Sequence, residues 1–140
     1  MSDTNIFPID ESLVTRHRKE QSFGVRSCVF WLCGLSGSGK STLAIALEEF
    51  LFSKGYPSVV LDGDNLRKGL CQNLGFTLED RKENIRRASE LAKILVNNGN
   101  IAIVSMISPT ADIRNLARQI IGEDDYCEVF VKSSFEKCKE

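Results

Sequence analysis

The stretch from Gly34 to Ser41, Gly-Leu-Ser-Gly-Ser-Gly-Lys-Ser, limits the folds open to this chain more than any other feature. It fits the phosphate-loop pattern G-x-x-x-x-G-K-[ST] and lies between two regular elements. The apolar run Cys28-Val29-Phe30-Trp31-Leu32-Cys33 before it reads as a buried strand. The segment from Ser41 to Phe52 after it reads as an amphipathic helix. A strand, this loop and a helix in succession is the context in which the pattern works. Glycines let the backbone curl until successive N–H groups face one cluster of oxygens, and a Cβ would block the approach. The helix adds its free N-terminal N–H groups and the positive end of its dipole. Lys40 supplies a full positive charge for β and γ oxygens, and Ser41 a hydroxyl for the Mg²⁺ that bridges them. The plainer alternative, a Gly/Ser-rich turn, has no use for Lys40 and Ser41 directly after Gly39. The expected triphosphate contacts are Gly34, Leu35, Ser36, Gly37, Ser38, Gly39, Lys40, Ser41 and Thr42.

The rest of the chain alternates in the same way. Val59-Val60-Leu61, Ile101 to Met106 and Tyr126 to Val131 are short apolar runs suited to parallel strands covered on both faces. Helical stripes lie between them. Leu43, Ala46, Leu47, Phe50 and Leu51 are expected to share one face of the first helix. Ile85, Ala88, Ala92, Leu95 and Val96 do so on a helix from about Asp80 to Asn98. Ile113, Leu116, Ala117, Ile120 and Ile121 do so on a third, ended by Gly122. The βαβαβαβ pattern predicts a doubly wound α/β fold of the P-loop type: a parallel sheet, right-handed crossovers and helices on both faces. Residues 1–26 read as a polar, partly ordered extension, and 27–140 as the P-loop domain.

Composition narrows the function classes. The 140 residues are 42% apolar and 26% charged, enough for one domain with a core, and the net charge is −1. No basic face is implied, so a nucleic-acid partner is not expected. No apolar run reaches the length of a membrane span. The start, Met1 to Asn5, lacks the charged and apolar regions of a secretory signal, so a cytoplasmic location is expected. Cys28, Cys33, Cys71, Cys127 and Cys138 form no C-x-x-C pair and suit a reducing compartment.

Ligands of such sheets sit beyond the carboxyl ends of the strands. Three loops there carry chemistry. After the phosphate loop comes Asp62-Gly63-Asp64-Asn65, with Arg67 one turn on. One carboxylate can approach Mg²⁺ through water, and the other can accept a proton from an attacking hydroxyl. The plainer alternative is a turn with an Asp or Asn helix cap, which explains one acidic residue. The third loop is Ile107-Ser108-Pro109-Thr110, where Ser108 either meets a substrate or shapes a helix entry. Phe76, Arg81 and Asn84 lie between, with Arg81 and Asn84 on one helix face. An aromatic face, a guanidinium and an amide suit a flat base with an anionic tail. Lys82, Glu83, Arg86 and Arg87 read as a solvated helix face.

Taken together, Gly34 to Thr42, the Leu61-Asp62-Gly63-Asp64-Asn65-Leu66-Arg67 run, Leu74-Gly75-Phe76, Asp80-Arg81-x-Glu83-Asn84-Ile85-Arg86-Arg87 and Ile107-Ser108-Pro109 resemble the adenylyl-sulfate kinase (APS kinase) family, from about Phe30 to the last residue. The resemblance implies transfer of the ATP γ-phosphate to the 3′-hydroxyl of adenosine 5′-phosphosulfate, with Mg²⁺, giving 3′-phosphoadenylyl sulfate and ADP in sulfate assimilation. It maps Asp64, Asn65, Arg67, Phe76, Arg81, Asn84, Ile107 and Ser108 to the acceptor pocket. It gives Lys40, Asp62, Asp64 and Ser108 catalytic roles, and Ser41 and Asp62 to Mg²⁺. Ser108 is expected to orient the acceptor rather than carry phosphate. A homodimer and a functional tie to ATP sulfurylase are implied too.

The chain departs from the family pattern after I-S-P, where Thr110 and Ala111 replace an aromatic and an Arg while Arg114 remains. It also stops at Glu140, before the lid and last strand that the family carries, so a truncated chain of weak activity is expected. The alternatives are a non-catalytic nucleotide-binding module, a fragment of a larger sulfate-activating protein, or another small-molecule P-loop kinase.

Overall fold

Four strands run parallel in one sheet: β1 (Val29–Cys33), β2 (Ser58–Asp62), β3 (Ile101–Ser105) and β4 (Tyr126–Phe130). Their spatial order is β2-β3-β1-β4. The structure, a computed structural model, describes residues 6, 8–34, 37–108 and 110–132. The helices are α1 (Arg16–Phe23), α2 (Lys40–Ser53), α3 (Gly63–Arg67), α4 (Leu78–Val96) and α5 (Ala111–Ile121).

This order explains why both faces are covered. From β1 the chain steps past β3 to reach β2, then returns through β3 and steps past β1 to β4. With every crossover right-handed, a reversal of direction sends the helices to opposite faces. α2 packs on one face with Leu32, Ile101 and Ile103. α4 and α5 pack on the other with Val29, Trp31, Ala102 and Val104. Val29, Leu32, Ile103 and Val104 are fully buried, each contributing about 1.5–3 kcal/mol. The chain reverses beside β1, so the loop after β1 opens at the switch point where such sheets bind ligands.

The anticipated four strands and three main helices form, with ends displaced by one or two residues. The face of α2 differs from expectation. Ala44 and Leu51 are buried with Leu47 packed beside them, whereas Leu43 and Phe50 are exposed and Ala46 faces outward. The helix is apolar almost all round, from Leu43 to Leu47 and again from Phe50 to Phe52, so periodicity alone admits two phases. Lys40 decides between them: it must face the loop it serves, and Ala44, Leu47 and Leu51 follow it at helical spacing.

The N-terminal segment is more ordered than its composition suggests. α1 buries no residue and has no apolar stripe, so polar contacts anchor it. The Arg16 guanidinium donates to both oxygens of Asp125 at 2.8 Å and to the Ser27 carbonyl at 2.9 Å. Glu20 accepts from the Ser27 amide at 2.7 Å, and the Ser27 hydroxyl donates to the Val96 carbonyl at 2.8 Å. Thr15 caps the helix start, and Gly24 ends it in the left-handed conformation. All of this lies at the amino ends of the strands, away from the phosphate loop.

Candidate active site

Register brings the three loaded loops to one rim. Ser105 pairs with Asp62 on one side and with Leu32 on the other, so β2, β3 and β1 end side by side. The loops that follow enclose a cleft of about 500 Å³. Gly37, Gly39, Lys40, Ser41 and Thr42 form one wall, and Asp62, Gly63, Asp64 and Arg67 another. Phe76, Arg81 and Asn84 complete it together with Met106 and Ile107.

The phosphate loop is shaped by close approach. Gly34 has φ +148°, and a Cβ there would lie 2.5 Å from the Val131 carbonyl oxygen, so glycine is required. The Lys40 ammonium donates to the Gly34 carbonyl at 2.9 Å, folding back over its own loop. Lys40 is only 8% exposed. Burial pushes its pKa down, while Cys33 and Asp62 oppose that shift. The Ser38 hydroxyl is buried and has no hydrogen-bond partner among the described residues. Leu35 and Ser36 lie outside the described residues.

In the second loop the cap alternative and the site reading both describe Asp62. Its carboxylate accepts from the Asn65 amide at 3.2 Å, capping α3, and the residue lines the cleft. Asp64 lines the cleft as well, whereas Asn65 is exposed and does not.

The Phe76 segment is fastened at both sides. Arg67 donates to the carbonyls of Leu74 at 3.3 Å and Gly75 at 2.9 Å, and its guanidinium lies over the Phe76 ring. The Gly75 amide donates to Asp80 at 2.9 Å. Arg87, expected on a solvated face, instead donates to the Leu70 carbonyl at 3.0 Å and to Asn73 at 2.8 Å. Glu83 aligns Arg87 and Arg86, and those hydrogen bonds hold its carboxyl down at about 2. Asn84 is 5% exposed, lines the cleft, and its Oδ1 has no donor among the described residues. A buried acceptor without a donor is costly unless a ligand supplies one.

Ser108 departs from expectation. Its hydroxyl is buried, 3% exposed, and does not line the cleft. It accepts from the Trp31 indole N–H at 3.0 Å and donates to the Met106 carbonyl at 3.3 Å. The reason is local: the chain turns inward after Ile107, which is 59% exposed and faces the cleft, so the next side chain points into the core. The cleft also takes in Ser105, Met106, Ile85 and Ile113, which the sequence reading assigned to strand or core. Ser105 and Met106 were findable, since they close β3 at the rim where ligands bind. Ile113 was not, because helical spacing marks it only as core.

A parallel sheet with a phosphate loop at its switch point, facing two aspartates and a basic, aromatic wall, defines a P-loop nucleotide-binding protein built for phosphoryl transfer. Comparison with known proteins narrows this. The family described as Adenylylsulphate kinase matches residues 26–140. The adenylyl-sulfate kinase of Bacteroides thetaiotaomicron is 50% identical over 135 residues, covering 96% of this chain and 67% of the relative. A solved structure of the Mycobacterium tuberculosis APS kinase CysC in complex with AMPPNP and APS superposes with a TM-score of 0.77 at 45% identity, covering 81% of this chain and 67% of that one. A hexameric APS kinase from Thiobacillus denitrificans superposes at 0.66 with 36% identity, over 76% of this chain and 22% of that one. The chain belongs to the adenylyl-sulfate kinase family.

Proposed function

We infer that the protein transfers the γ-phosphate of ATP to the 3′-hydroxyl of adenosine 5′-phosphosulfate, forming 3′-phosphoadenylyl sulfate and ADP. One observation carries this reading beyond the family match. The phosphate loop and the set Arg67, Phe76, Arg81 and Asn84 line a single cleft. The Mycobacterium relative, whose structure is described with AMPPNP and APS, supports two nucleotides in such a cleft.

The residues then divide the work. Backbone N–H groups of the phosphate loop and of the first turn of α2 hold the ATP phosphates. Lys40 exchanges its Gly34 carbonyl for phosphate oxygen and offsets the charge of the transferring group. Asp64, which lines the cleft, takes the proton from the acceptor hydroxyl in this reading. Phe76 offers its exposed ring to the acceptor base, and Arg81 offers charge to its anionic tail. Asn84 Oδ1 accepts from a donor on the nucleotide. Most of the rate then comes from alignment of two bound nucleotides.

Ser41 and Asp62 fit a magnesium ion. Among the described residues no group of three or more His, Cys, Asp or Glu is placed to hold a metal. Magnesium takes one or two protein ligands and completes its shell with phosphate and water. Bound there, it supplies positive charge to the β and γ phosphates. A homodimer and a tie to ATP sulfurylase belong to the same reading, and the hexameric Thiobacillus relative supports assembly of copies in the family. No helix among the described residues is long and apolar enough to cross a membrane.

The test is an acceptor panel with radiolabelled ATP. Label should pass to adenosine 5′-phosphosulfate in preference to sugar acids or nucleosides. Preferred transfer to a sugar acid would overturn the reading.

A further inference from the structure

The loop that carries Met106 and Ile107 into the cleft is held from behind by a chain of contacts among residues that do not line it. The Trp31 indole, fully buried on β1, donates to Ser108 Oγ at 3.0 Å. The Arg114 guanidinium, on α5, donates to the Ser108 carbonyl at 2.8 Å. Glu128 on β4 lies 3.5 Å from Arg114 Nε and accepts from the Tyr126 hydroxyl at 2.8 Å. The Tyr126 ring lies 6.0 Å from the Trp31 ring, which closes the circuit. Both functional groups of Ser108 are thus gripped, one from the strand that feeds the phosphate loop and one from the helix that follows.

We propose that this circuit is a positioning device for the acceptor, with Trp31, Arg114 and Glu128 as positioning residues that act through Ser108. The inference rests on the acceptor assignment made above. Three arguments support it. A buried Trp N–H needs a partner, and here that partner is a side chain of the acceptor loop rather than a nearby backbone carbonyl. β1 leads directly into Gly34, so the same strand fixes the phosphate loop at its end and the acceptor loop through Trp31. Misplacement of a loop by an ångström is enough to lose aligned transfer, whereas the ATP wall has further contacts of its own in the turn around Gly34 and Lys40. The circuit therefore bears on the acceptor and spares ATP.

The chain has a single Trp, so its Trp fluorescence comes from Trp31 alone. The experiment compares the full chain with Ser108→Ala, Trp31→Phe and the double variant. Emission is read without ligand, and KM is read for each nucleotide. We expect Ser108→Ala to shift the Trp31 emission maximum. Loss of one net hydrogen bond should raise the acceptor KM roughly two- to tenfold. The KM for ATP should change by less than about twofold, and the double variant should lose no more than the worse single variant. Unchanged emission, an equal rise in both KM values, or additive losses would overturn the proposal. If Trp31→Phe does not fold, emission and the KM split in Ser108→Ala decide it. If the wild-type chain uses another acceptor alcohol, the functional reading falls, and the KM split measured with that alcohol still decides the circuit.

Discussion

The guanidinium of Arg67 lies 4.3 Å above the centre of the Phe76 ring while its Nη1 donates to the carbonyls of Leu74 and Gly75. One side chain thus bends the segment 74–76 and sets the plane of its aromatic ring. Arg67→Lys keeps the charge and loses the planar fork. We expect the KM for adenosine phosphosulfate to rise about 10-fold or more, since hydrogen bonds from charged donors are each worth about 1.5–3 kcal/mol. The KM for ATP should hold steady in the same assay, and a parallel rise in both would refute the assignment.

Lys40 carries the buried charge of the phosphate loop. Lys40→Met preserves the stem and removes the ammonium. Steady-state assays should show kcat lowered by about 10² to 10³, the usual loss for one preorganised charge stabiliser. Wild-type turnover in this variant would mean that phosphate charge is offset elsewhere.

Gly34→Ala tests close approach. The new Cβ would lie 2.5 Å from the Val131 carbonyl oxygen and 3.0 Å from Ser38 Oγ. The Val131 backbone cannot yield easily, so urea denaturation should show a loss of about 1–3 kcal/mol. Calorimetry should show ATP affinity falling with it. A variant of unchanged midpoint would disprove the contact.

Acid should loosen the N-terminal anchor. Hydrogen bonding from Arg16 holds the Asp125 carboxyl below its ordinary value of 3.8, against the opposing effect of burial. A depressed folded pKa contributes stability that is complete above the unfolded value and drains as pH falls through the folded one. Below about pH 4 the wild-type denaturation midpoint should therefore drop more steeply than that of Asp125→Asn. The variant itself should already be less stable at pH 7. Parallel pH profiles would exclude this pair as the source.

Much of the fold was legible because it rests on local signals. The strand runs at Val29, Val59, Ile101 and Tyr126, the helix stop at Gly122 and the glycine pattern at 34–39 each declare themselves within a few residues. The site was legible in its types but not in its directions. Phe76, Arg81 and Asn84 face the cleft as their spacing allows, while Asn65 and Ser108 turn away from it. α1 was missed because a polar run that ends in a single Phe23 has no stripe and gives no period to read. Its partners, Asp125 and Ser27, are distant in sequence or lie beyond its end.

By itself the sequence determined that a phosphate loop follows a buried strand, that four strands alternate with helices, and which side chains stand at the strand ends. These are matters of local sterics and periodicity, settled within a single turn or strand. Only the tertiary structure decided that Ser108 looks inward to Trp31, that α2 buries Ala44 rather than Leu43, and that Arg16 reaches Asp125. Each of those outcomes depends on which element packs alongside, and a hydrogen bond or a buried face has no direction until its neighbour is in place.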